Sequence, residues 1–116
     1  MENSGLRHIA LRTRDPKKTE RFYTKVLGLK VAFRIPPNMI FLRTPGGNDL
    51  LNFVKTSKRF ATDQALHHFG FKVTKSALKA IERRLHAEGI EIGDRRGKTA
   101  IYVTDPNGYC IEFYCD

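Results

Sequence analysis

Two histidines occupy the same place in a repeated pattern. His8 lies in Leu6-Arg7-His8-Ile9-Ala10-Leu11, and sixty residues later His68 lies in Leu66-His67-His68-Phe69-Gly70-Phe71. A helix-like segment follows each run and stops at a glycine, Gly28 or Gly89, twenty and twenty-one residues after its histidine. The second copy closes on Asp105-Pro106-Asn107-Gly108-Tyr109-Cys110-Ile111-Glu112-Phe113, which adds a carboxylate at Glu112. Two imidazoles and one carboxylate suit a divalent metal, with open positions for substrate. Fe, Mn, Zn, Ni and Co all fit that donor set, and its chemistry would be Lewis-acid activation of a bound substrate. His67 falls on the opposite, apolar side of its run, and His86 falls within a helix, so neither joins the expected ligand set.

The elements that must carry these residues follow from spacing. Leu6–Thr13 reads as a strand. Asp15-Pro16 starts a helix, with Asp as the cap and Pro at the first helical position. Phe22, Tyr23, Val26 and Leu27 share one helical face, and Gly28 ends it. Strands follow over 29–35, 39–44 and 49–54, separated by Pro36-Pro37-Asn38 and Pro45-Gly46-Gly47-Asn48. The polar stretch 55–65 links the copies. The second copy repeats the order. A strand over 66–74 leads to a helix capped by Ser76, whose apolar face is Ala77, Ala80, Ile81 and Leu85. Ile90-Glu91-Ile92 reads as a short strand and 93–97 as a polar loop. Strands over 98–104 and 109–115 flank the Asp105-Pro106-Asn107-Gly108 turn. The expected fold class is α+β: two βαβββ modules, about 5–54 and 66–116, packed as a curled eight-stranded mixed sheet with helices outside. All of it fits one domain of 116 residues.

Alternation along strands sorts the faces. Ile9 and Leu11 point one way; His8, Ala10 and Arg12 point the other. His68, Gly70 and Lys72 share a face, as do Cys110, Glu112 and Tyr114, and Ala100, Tyr102 and Thr104. In the fourth strand, alternation counted from Asp49 turns Leu51 and Phe53 inward. They join Met39 and Phe41 as an apolar wall beside Arg12, Arg43 and Lys72. Such a wall with basic residues suits a small, partly hydrophobic anion, such as an aromatic or α-oxo acid.

The formal charge is +9, with 21 Lys and Arg against 12 Asp and Glu. Those cations are scattered as pairs rather than a stripe, and no nucleic-acid-binding signature accompanies them, so the charge reads first as a solvated basic surface, then as attraction for a small anionic substrate, and last as nucleic-acid binding. No stretch reaches the roughly 20 apolar residues needed to span a bilayer. Residues 1–5 lack a basic region with an apolar core, so the expected location is cytoplasmic. Cys110 and Cys115, an odd number of residues apart on one strand, face opposite ways and are expected to stay reduced.

From Leu6 to Phe113 the chain resembles the vicinal oxygen chelate superfamily, which includes glyoxalase I, bleomycin-resistance proteins, extradiol dioxygenases, fosfomycin-resistance thiol transferases and methylmalonyl-CoA epimerases. The resemblance is carried by the segment from Asp105 to Phe113, by Leu27-Gly28-Leu29 after a Phe-Tyr helix, and by His8 in the opening strand. It implies ligands from the first, fourth, fifth and eighth strands. His8, His68 and Glu112 match three of these. At the fourth, Leu51 falls near the position where glyoxalase I and the epimerases carry Glu. A leucine neither binds metal nor acts as a base, so the three-ligand pattern is closer to the dioxygenases and thiol transferases. Tyr102, ten residues before Glu112, matches a catalytic Tyr of extradiol dioxygenases and is the expected proton donor or orienter. The resemblance also implies a homodimer, with a site built within one chain or shared between two. The expected function is that of a metal-dependent enzyme acting on a small oxygen-chelating anion by lyase, dioxygenase or transferase chemistry. The alternative is a non-catalytic drug- or metabolite-binding protein of the bleomycin-resistance type.

Overall fold

The computed structural model describes residues 2–116. The chain divides after Phe60 into two compact units, and each is a βαβββ module. The first contains β1 (His8–Thr13), α1 (Pro16–Arg21), a π-helical turn (Phe22–Val26), β2 (Lys30–Ile35), β3 (Met39–Arg43) and β4 (Leu50–Lys55). The second contains β5 (Phe69–Lys72), α2 (Lys75–Ala87), β6 (Asp94–Arg96), β7 (Ala100–Thr104) and β8 (Cys110–Tyr114). The fold class is α+β, with one four-stranded mixed sheet per module. The orders are β1-β4-β3-β2 and β5-β8-β7-β6. In each, the opening strand runs parallel to the closing one and the remaining pairs are antiparallel.

In the first module the helix starts where Asp15 accepts a hydrogen bond from the Lys18 amide at 3.1 Å. The helix then widens into the π turn, which buries Phe22, Tyr23 and Val26 together. It stops at Gly28, whose φ of 80° is the left-handed conformation that a side chain would strain. Tyr23 packs on Phe53 with ring centroids 5.0 Å apart. A buried hydroxyl pair, Thr13 with Thr19 at 2.9 Å, ties β1 to α1 on that same side.

Three expectations in the second module change. The cap of α2 is Thr74, which accepts from the Ala77 amide at 3.1 Å, rather than Ser76. Thr74 is the last extended residue, so its hydroxyl meets the free amides, while Ser76 is already helical. The buried stripe of α2 is Leu78, Ile81 and Leu85, with Leu78 in place of Ala77 and Ala80. The sixth strand is Asp94–Arg96, not Ile90–Ile92. Its three residues are all exposed, so no apolar alternation marks it. Backbone pairing with β7 alone defines it, as suits a charged sheet edge.

Candidate functional site

The site in the second module grows from β8. The turn before it is built by Asp105, which is buried. Its carboxylate accepts from the amides of Asn107 and Tyr109 and from the Asn107 side chain, at 2.9, 2.9 and 3.1 Å. Gly108 takes φ 101° to complete it. This turn sets the register of β8, so that Glu112 pairs with Tyr102 on one side and Gly70 on the other.

Glu112 is the hub. Its Oε2 accepts from the Tyr102 hydroxyl at 2.9 Å and from the Arg96 guanidinium at 3.0 Å. Its Oε1 lies 3.4 Å from His68 Nε2. Burial of the carboxylate, only 12% exposed, pushes its pKa up. The hydrogen bonds from Tyr102 and Arg96, with the charges of Arg96 and His68, outweigh that and hold it below the ordinary value. Conversely, the bond to Glu112 and then burial raise the Tyr102 pKa, so the phenol keeps its proton and acts as donor to the carboxylate. His68 stands edge-on to Tyr102, centroids 5.6 Å apart, and its other ring nitrogen lies 2.7 Å from His67 Nδ1. His67 therefore orients His68, a role missed in placing it on the opposite, apolar side of its run. Space for the carboxylate comes from Gly70, where a Cβ would meet Glu112 Cβ at 3.3 Å and Oε1 at 3.4 Å.

His68 and Glu112 meet as an ion pair. Two ligands of a tetrahedral divalent ion, with bonds of about 2.0–2.1 Å, lie about 3.3–3.4 Å apart, and His68 and Glu112 are 3.4 Å apart. Among the described residues no three His, Cys, Asp or Glu side chains are gathered as a ligand set. The structure thus brings together two of the three expected ligands, with Tyr102 as their neighbour.

His8 holds the equivalent place in the first module. It is exposed and lies against Phe41, ring centroids 5.8 Å apart. The register reproduces the second module position by position. Ala10 pairs with Asn52 and Phe41 with Asn52, as Gly70 pairs with Glu112 and Tyr102 with Glu112. Asn52 and Phe41 are therefore the counterparts of Glu112 and Tyr102. Asn52 is 4% exposed, and its Oδ1 has no hydrogen-bond partner.

This register corrects the fourth strand. Leu51 pairs with Ile9 and Phe53 with Leu11, so both point to the helix side, where Phe53 meets Tyr23. They belong to the core rather than to the His8 face. Asp49 is not in the strand; it caps the preceding turn by accepting from the Thr44 amide and hydroxyl at 2.9 and 2.7 Å. Counting alternation from it shifted the frame by one. Arg43, Met39 and Phe41 do share the His8 face, and Phe33 stacks on Phe41 at 4.2 Å. The Arg43 Nε is buried without a partner. Arg12 is exposed on the same face. Lys72 lies on the Glu112 side of β5 but is drawn to Asp116 at 2.9 Å, which raises its pKa.

Arg96 was not anticipated. A three-residue strand without alternation hides the face on which its side chains lie, and only the pairing with β7 reveals it.

The sequence profile of the Glyoxalase/Bleomycin resistance protein/Dioxygenase superfamily matches residues 5–113. Among solved structures, the chain is similar to a possible glyoxalase from Bacillus cereus, at 23% identity, TM-score 0.79, covering 97% of this chain and 100% of that one. It is also similar to a lactoylglutathione lyase from Agrobacterium tumefaciens, at 21% identity and TM-score 0.73, covering 99% and 96%. Oxidase ChaP-H2 matches at 23% identity and TM-score 0.79, covering 100% and 95%. At these identities the likeness is one of fold. Among the described residues no helix is long and apolar enough to cross a membrane.

Proposed function

Because the chain belongs to the glyoxalase/bleomycin resistance protein/dioxygenase superfamily, we propose that it is a metal-dependent enzyme acting on a small anionic substrate with adjacent oxygens. The observation that carries this reading is the His68–Glu112 pair at ligand-to-ligand spacing, with a protonated Tyr102 on the carboxylate. His68 and Glu112 would hold a divalent cation, and His8 would be the third ligand, from the same chain or from a second copy in a homodimer. The cation would supply Lewis-acid polarisation of substrate oxygens. Glu112, kept ionised by its partners, lowers the net charge there. His67 holds the His68 ring. Tyr102 orients Glu112 and has a proton to offer once that bond loosens. Arg12, Arg43 and Lys72 would attract and balance the anion.

Metal analysis of tag-free protein tests this. Wild type should carry near-stoichiometric divalent metal, and His8→Ala, His68→Ala and Glu112→Ala should each lose it. Content unchanged by all three substitutions sinks the centre. For the dimer, mixing His8→Ala with Glu112→Ala subunits should restore metal binding in verified heterodimers if sites are shared between chains.

A second reading is favoured by the stacked Phe33–Phe41 pair and the exposed Ile35 and Met39. That apolar surface suits sequestration of a drug or metabolite without chemistry. Saturable binding indifferent to chelators would select it.

A further inference from the structure

Two consecutive arginines on β6 do different things. Arg95 grips Glu82 of α2 with both terminal nitrogens, at 3.0 and 3.1 Å. Arg96, on the opposite face by alternation, reaches across to Glu112 Oε2 at 3.0 Å. Arg95 fastens the edge strand to the helix. Arg96 is not needed for that, and its side chain is 62% exposed on a strand whose residues are all exposed.

Arg96 and Tyr102 both use Oε2, while Oε1 faces His68. The carboxylate is therefore already neutralised by an internal cation. A divalent ion placed on the same carboxylate would meet that guanidinium as a like charge at close range, which disfavours both remaining. Arg96 is long and exposed, and its guanidinium hydrogen-bonds Glu112 and Tyr102, so its departure costs those bonds and none of the backbone pairing of β6. Its planar fork then stands beside the centre with its donors vacated, and such a fork matches a carboxylate with two parallel hydrogen bonds. On the same face of this module, Lys72 is paired with Asp116.

We propose that Arg96 is the specificity-determining residue that takes the anionic group of the substrate, and that it rests on Glu112 until a divalent cation displaces it. This rests on the metal reading above and assigns the substrate class within it: a chelating compound bearing a separate carboxylate. It also makes metal loading and anion recognition a linked pair of events, since the same guanidinium serves both.

The test uses the full chain, Mn²⁺ as the cation, and catechol with 2,3- and 3,4-dihydroxybenzoate as probes. All three chelate through adjacent oxygens, and two carry a carboxylate. Calorimetry is run on wild type, Arg96→Ala, Arg96→Gln and the neighbouring Arg95→Ala. Without its internal competitor, Arg96→Ala should bind Mn²⁺ about two- to fivefold tighter, the size of an exposed ion pair. Mn²⁺-loaded wild type should prefer at least one dihydroxybenzoate to catechol by about tenfold, as a charge-assisted hydrogen bond gives. Arg96→Ala and Arg96→Gln should lose that preference and leave catechol affinity within about twofold. Arg95→Ala should keep it. If Arg96→Ala is poorly folded, the same comparison is read from Arg96→Gln. Mn²⁺ affinity that is unchanged or weaker in the Arg96 variants overturns the proposal, as does a preference absent from wild type or preserved in the variants. Mn²⁺ binding by neither wild type nor variant overturns the metal reading itself, and is recognised because the wild-type titration alone shows it.

Discussion

The two modules share a backbone and differ in what they place on it. In the second, the parallel pair β5–β8 carries Gly70 opposite Glu112, and that carboxylate gathers Tyr102, Arg96 and His68. In the first, β1–β4 carries Ala10 opposite Asn52, whose neighbour across the sheet is Phe41. Carboxylate has become amide, phenol has become phenyl, and among the described residues the amide oxygen has no hydrogen-bond partner. Each histidine still stands against its aromatic counterpart, at 5.8 and 5.6 Å. Duplication has kept the geometry and divided the chemistry: one copy holds a charged hub, and the other presents a histidine on a mostly apolar face.

If the cores are equivalent, Phe53 and Phe113 should be interchangeable in energetic terms. Both are buried on the helix side of their sheets. Phe53→Ala and Phe113→Ala should each cost about 3–5 kcal/mol in chemical denaturation. A Phe53→Ala protein of near-normal stability with impaired ligand binding would put that ring back on the His8 face and break the comparison.

The hub should matter more for metal than for folding. Glu112→Gln should weaken divalent-metal binding by more than about 100-fold while the protein stays folded, since even indirect partners of a ligand contribute 10–100-fold. Calorimetric titration checks it. The reciprocal change sharpens the contrast. Asn52→Asp puts a carboxylate into the buried counterpart position without an arginine. It should destabilise the metal-free protein by about 1–3 kcal/mol at neutral pH. The new carboxyl would have a raised folded pKa, so its penalty is absent below the unfolded value of about 3.9 and grows as pH rises. Equal stability at neutral and acid pH would show that position 52 is better solvated than its burial implies.

The smallest effect is the acid limb of stability. The folded pKa of Glu112 lies below its ordinary 4.5. Its contribution is therefore complete above that value and lost as pH falls through the lower folded one. Thermal melts of wild type and Glu112→Gln between pH 6 and pH 2, a span set by ordinary carboxylates near 4, should converge at the acid end. Curves that stay parallel would deny the carboxylate its network.

How far this was legible before the fold was known depends on the segment. The repeat, the helix ends at Gly28 and Gly89, and the Asp105–Gly108 turn could be read because each has one local cause: a left-handed residue or a side chain that caps its own backbone. Glu112 and Tyr102 could be placed on one face because apolar residues alternate with them along β7 and β8, and His68 because Phe69 and Phe71 of β5 take the opposite face. The run from Leu50 to Val54 could not be sorted. It is apolar on both faces except at Asn52, so alternation has no polar phase to count from, and Asp49 supplied a false one. Arg96 was hidden for a different reason. An exposed edge strand carries no hydrophobic signal, and its partner 16 residues away in sequence is fixed only by pairing.

Gly70 has a consequence for how such a module drifts. A methyl there would sit 3.3 Å from both the Cβ and the carbonyl oxygen of Glu112 and 3.4 Å from its Oε1. The strand would still form, since alanine suits an extended backbone at least as well as glycine. The carboxylate, however, would have to give way by a few tenths of an ångström, enough to unsettle bonds whose strength depends on distance and angle. The scaffold and its hub therefore have different tolerances to mutation. A lineage could cross position 70 with its fold intact and the contacts of Glu112 unsettled.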